Sequence, residues 1–121
     1  AEVDLQVVQT HSFHTPRNPQ ARLLGERAAK ITGVGAATRM PSAIGVAHAY
    51  DLVQLLALAI SRAGSTDRAA VRDALERLPA HEGVIRRYAP AFTPDNHEGL
   101  RPSDLFFARF EADGRLLPSP G

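Results

Sequence analysis

At 121 residues, 44% of them apolar, the chain has room for one modest core and is too apolar for wholesale disorder. Its formal charge is only +1, and its arginines alternate with acids, as in Arg68-Ala69-Ala70-Val71-Arg72-Asp73. That pattern is a solvated helix face and excludes a nucleic-acid patch. The absence of cysteine excludes a disulfide framework, thiol chemistry and cysteine-rich zinc sites.

In chain order, Val3, Leu5 and Val7 alternate with polar residues and Val8 extends the run, which predicts a short strand ending near Gln9. Thr10 to Pro16 is polar, aromatic and proline-terminated, hence a loop. Asn18-Pro19 starts a helix, because asparagine caps free amides and proline suits the first helical position. That helix runs to about Ile31 and stops at Gly33. The Gly, Ala and Thr content from Gly33 to Pro41 predicts a mobile connection.

The clearest element is a helix from about Ala43 to Ala63, ended by Gly64. Val46, Ala49/Tyr50, Val53, Leu56/Ala57 and Ile60 recur there at three- and four-residue spacing. Ser65-Thr66-Asp67 caps a third helix, with Val71, Ala74/Leu75 and Leu78 as its buried stripe and Pro79 as its end. Gly83-Val84-Ile85 is a short strand candidate and Phe92 to Gly99 a polar turn. Leu105 to Glu111 is a strand, Asp113-Gly114 a hairpin turn, and Arg115 to Leu117 a return strand. The fold class is α/β: three helices packed on a small sheet, with a C-terminal hairpin. The longest apolar stretch, Leu52 to Ile60, is too short to span a bilayer. The start, Ala1-Glu2-Val3-Asp4, carries no initiator Met and no signal sequence, so further sequence is expected upstream.

Few residues invite chemistry. His11 and His14, His81 beside Glu82, and His97 beside Glu98 raise a metal site, but no His-Glu-x-x-His helix is present and solvated loop histidines are the better reading. Ser12, Ser42, Ser61, Ser65 and Ser103 stand outside any Gly-x-Ser-x-Gly elbow. No local spacing pairs two carboxylates. Gly33-Val34-Gly35 lacks the following glycine or lysine of a phosphate loop. The expectation is a non-enzymatic chain with no metal and no cofactor.

Two stretches carry a family resemblance. The first is Ala47-His48-Ala49-Tyr50-Asp51-Leu52-Val53-Gln54-Leu55-Leu56, continuing to Ala63-Gly64-Ser65-Thr66-Asp67 and Val71-Arg72-Asp73-Ala74-Leu75. The second is Phe92-Thr93-Pro94-Asp95-Asn96-His97-Glu98-Gly99-Leu100, with Glu82-Gly83-Val84 between them. Together they resemble the C-terminal third of type I periplasmic binding proteins of the branched-chain amino acid class, over roughly residues 5–118. Arg87 stands where the family often has a second glycine, a departure that bears on the local turn. Within these stretches Tyr50 is large enough to anchor a core, and Asp51 lies early in its helix, where the positive dipole end favours an anion. Both are read as structural, as is the turn His97-Glu98-Gly99.

The resemblance implies two α/β lobes with the ligand between them, and a periplasmic or extracellular location. The whole chain, residues 1–121, would be a C-terminal fragment: mostly first-lobe helices, crossovers and terminal strands. The parent would capture an amino acid or small carboxylate and deliver it to an ABC permease in the membrane. Alternatives are a ligand-sensing regulatory domain on the same scaffold and a stand-alone α/β interaction module. Cleft-wall candidates are Thr10, His11, Ser12 and Phe13 after the first strand, and Ile44 and Gly45 before the long helix, where Gly45 would widen the pocket. The stripe of Val46, Val53, Leu56 and Ile60 and the strand from Leu105 to Phe110 expect partners. The isolated chain is therefore expected to be a homodimer.

Overall fold

The computed structural model describes residues 3 and 5–119. The first strand, β1 (Gln6–Gln9), is followed by helix α1 (Pro19–Thr32). Asn18 caps α1 by accepting from the Ala21 amide at 2.8 Å, and Gly33 closes it in the left-handed region. The connection expected to be mobile instead contains a 3-10 turn, Ala37–Arg39. It packs on α1 where Gly25 leaves room, since a Cβ there would lie 2.8 Å from both Ala37 Cβ and Phe13 Cδ1.

Helix α2 (Ala43–Ala63) has the predicted bounds. Its core-facing side is Ala47, Asp51, Leu55 and Ala59, one residue in four. The predicted apolar stripe lies on the neighbouring side, and Val53 (60% exposed) and Leu56 (45%) face outward. Leucines surround the helix, so periodicity leaves the phase open. Asp51 decides it, because a buried carboxylate must meet its donors. Taken whole, α2 is long and apolar enough to cross a membrane, a property that Leu52 to Ile60 alone does not reveal. One of its faces, however, is committed to the core.

Helix α3 (Arg68–Leu75) is capped by Asp67, which accepts from the Ala70 amide at 3.0 Å. It ends at Leu75, short of the expected Pro79, with Glu76 as its cap; Pro79 bars only Leu78 from helical backbone. Leu78 is buried all the same. The strand expected at Gly83-Val84-Ile85 is a turn; the pairing residues flank it, as β2 (His81–Glu82) and β3 (Arg87–Tyr88). Arg87 sits exposed in β3 opposite Glu82, so the turn closes without a glycine there.

Strands β4 (Phe106–Phe110) and β5 (Leu116–Pro118) form the predicted hairpin, with Gly114 at φ 82°. β1 pairs antiparallel with β4, matching Val7 to Ala108, and the sheet order is β1-β4-β5. The helices pack mainly on one another and on the segment after β2. One cluster joins Leu55, Ala59, Ala74, Leu78, Tyr88 and Ala91; the other joins Ala21, Ala47, Val84 and Ile85, flanked by Tyr50. Neither cluster contains a residue of the three-stranded sheet, which corrects the expectation of helices centred on that sheet.

Asp51 lies two turns into α2, past the reach of the helix dipole, and binds the β2–β3 turn instead. Its carboxylate accepts from the amides of Val84 (2.8 Å) and Ile85 (3.0 Å) and from the Tyr88 hydroxyl (3.0 Å). Gly83 admits this approach, since a Cβ would come within 2.6 Å of Asp51 Oδ2. Asn18 Nδ2 donates to the Gly83 carbonyl at 2.9 Å and ties α1 to the same turn. Arg86 is buried against Asp104 (3.1 Å) and donates to the Gly99 carbonyl (3.2 Å), which pins the approach to β4.

Candidate ligand-binding pocket

The fold leaves a large hollow, about 880 Å³, between the β1–α1 loop, the approach to α2 and the inner face of the sheet. The loop is shaped by Ser12, whose Oγ accepts from the His14 amide at 3.2 Å and whose carbonyl accepts from the Thr15 amide at 3.3 Å. This turn buries Phe13 beneath α1, with the His11 ring edge-on to it at 4.6 Å and 82°. Alternation along β4 turns Phe106, Ala108 and, half exposed at the rim, Phe110 to the hollow, while Leu105 and Phe107 lie on the opposite, solvent-facing side.

The third wall is the start of α2. Ser42 makes no side-chain cap bond, so the first amides of a 21-residue helix lack an internal acceptor. That end of a helix carries partial positive charge. Two guanidiniums line the same hollow. Arg115 is held by Asp113 at 2.6 Å, whereas Arg39 has no ion pair among the described residues. An apolar sheet wall thus faces a positive, donor-bearing wall. The chemistry suits a small molecule with an apolar body and an anionic end.

His11, Ser12, Phe13 and Ile44, expected as cleft residues, line this hollow together. Thr10 does not: it faces a smaller hollow of about 280 Å³, and its Oγ1 lies 2.8 Å from His48 Nε2. Gly45 does not either. It is exposed and outside the wall, and a Cβ there would meet only Ser42, at 2.6 Å from Oγ. The widening role expected for Gly45 therefore has no geometric basis in this chain. Sequence reading missed Arg39, Met40, the sheet wall and the hairpin tip Asp113–Arg115. The alternation from Leu105 to Glu111 could have grouped the three sheet residues, but nothing local says what they face. No group of three His, Cys, Asp or Glu residues suited to a metal ion occurs among the described residues.

No family model and no curated protein matches the chain. Its fold matches a crystal structure of a periplasmic binding protein type 1 from Bordetella pertussis Tohama I, with a TM-score of 0.76 and 23% identity. The match covers 94% of this chain and 33% of that one, so the chain spans about a third of its neighbour's length.

Proposed function

We propose that the chain is part of a solute-binding protein and supplies one wall of its ligand site. The observation that carries this reading is the convergence of the β1–α1 loop and the start of α2 on one hollow, within a fold shared with a periplasmic binding protein. The ligand is an amino acid or related small carboxylate. Its charged end lies at the start of α2 near Arg39, and its apolar part lies against Phe106 and Phe110. The whole protein works without catalysis: it closes on the ligand in the periplasm and presents it to an ABC permease. The chain contributes chiefly first-lobe helices, crossovers and terminal strands.

One wall grips weakly, because a charged ligand loses its hydration and needs paired groups on every side. Calorimetry of the isolated chain with leucine, isoleucine and valine should give millimolar affinity or weaker, about 4 kcal/mol of binding free energy at most. Micromolar binding would overturn the one-wall reading.

A further inference from the structure

His11 is only 5% exposed, yet its Nε2 has no hydrogen-bond partner among the described residues. Buried imidazole nitrogens ordinarily have one. The groups around the ring are already engaged. On α2, His48 is held by Thr10, and the Asp51 oxygens take three donors. In the smaller hollow behind the ring, Asp104 is paired with Arg86 at 3.1 Å and Arg17 with Glu82 at 2.8 Å. His14 follows on the same loop, and across the larger hollow stand Arg39 and Asp113, the latter paired with Arg115 at 2.6 Å. Among the described residues, no unpaired carboxylate lines either hollow beside the ring. A neutral imidazole tolerates this place at the cost of one missing bond, whereas an imidazolium would carry at Nε2 a buried N–H with no acceptor among the described residues.

We propose that His11 is a proton-operated latch: neutral, it lets loop 10–15 stay docked on α1 through Phe13 and on α2 through Thr10, and protonated, its Nε2–H seeks an acceptor and draws the loop outward. Burial, the largest influence, holds the His11 pKa below its usual 6.5. His48 acts in the same direction, and the Asp51 charge opposes them. The same loop forms one wall of the large hollow, so acidification opens that wall. This consequence for ligand rests on the function proposed above, but the latch itself is measured without ligand.

The test is amide hydrogen exchange by NMR on the intact chain. The readout is the His14 and Thr15 amides, which the docked turn protects. After correction for intrinsic rates, their protection should fall by up to about tenfold per pH unit below about 6.5. The fall should disappear in His11→Met and persist in His48→Gln. Unchanged protection in the wild-type chain would overturn the latch. So would a fall that survives in His11→Met, or one that vanishes in His48→Gln and so assigns the switch to the Thr10–His48 bond. Should His11→Met not fold, the wild-type histidine titration decides. A His11 midpoint below 6.5 that moves with the Phe13 ring signals supports the latch; a midpoint at or above 6.5 refutes it. Failure here leaves the pocket reading intact, since ligand binding near neutral pH is a separate measurement.

Discussion

Tyr88 donates its hydroxyl hydrogen to Asp51 Oδ2 at 3.0 Å, joining two residues 37 apart in sequence at the centre of the fold. Each of the three donors to Asp51 is buried with it. Tyr88→Phe removes one bond and leaves the carboxylate its two amides, so it should cost about 1–2 kcal/mol. Asp51→Ala orphans two backbone amides and a phenol together and should cost about 3–5 kcal/mol. Denaturant unfolding of both variants measures the order. Equal losses would mean that the Val84 and Ile85 amides do not depend on Asp51.

Two glycines in helices should respond with opposite signs. Alanine gains about 1 kcal/mol over glycine in a helix interior. At Gly25 the new methyl meets Ala37 and Phe13 at 2.8 Å, and such overpacking costs about 1–3 kcal/mol. Gly25→Ala should therefore lose stability, by about 1 kcal/mol net. At Gly45 it meets only the exposed Ser42 side chain, which can turn away, so Gly45→Ala should gain about 0.5–1 kcal/mol. Thermal melts of the two variants give the signs directly.

Acid should weaken the fold through His11. Its folded-state pKa lies below the unfolded value of 6.5, so above that pH both states are neutral at this site and pH has no effect through it. As pH falls through 6.5 the unfolded chain takes up the proton first, and stability drops until the folded pKa is passed. Unfolding midpoints across this range should decline in the wild-type chain and decline less in His11→Met.

Much of the fold is legible because it is written in local chemistry. Asn18-Pro19, Gly33, Gly64 and Asp67 mark helix ends through bonds within a few residues, and Asp113-Gly114 makes its hairpin in the same way. Long-range pairing is not local. Nothing near Val7 says that it will sit opposite Ala108. Gly83-Val84-Ile85 has strand composition, but it is bent into a turn because Asp51, far away in sequence, takes two of its amides. The pocket divides along the same line. The loop after β1 and Ile44 are visible as residues beside element ends, whereas the sheet wall and Arg39 arrive through tertiary contact.

The outward face of α2 presents Leu52, Val53 and Leu56 to solvent, and the outer face of the sheet presents Val8, Leu105 and Phe107. On the fragment reading these surfaces are covered in the longer protein. In the isolated chain they should drive a homodimer burying more than about 1,000 Å² in total. Sedimentation at micromolar concentration should show the dimer, and Val53→Glu with Leu56→Glu should give a monomer of nearly unchanged stability, since both residues are exposed. A wild-type monomer would remove the case for uncovered interfaces.

On the proposed function, the hollow between the β1–α1 loop and the start of α2 is a ligand wall. Amide chemical shifts, followed by NMR near neutral pH while leucine, valine or a small carboxylate is added to millimolar excess, test it residue by residue. Fast-exchange shifts concentrated at His11, Ser12, Phe13, Arg39 and Ile44 are expected, as is their loss for the carboxylate series in Arg39→Gln. Shifts confined to another surface, or a silent wall for every compound at saturating concentration, would contradict it.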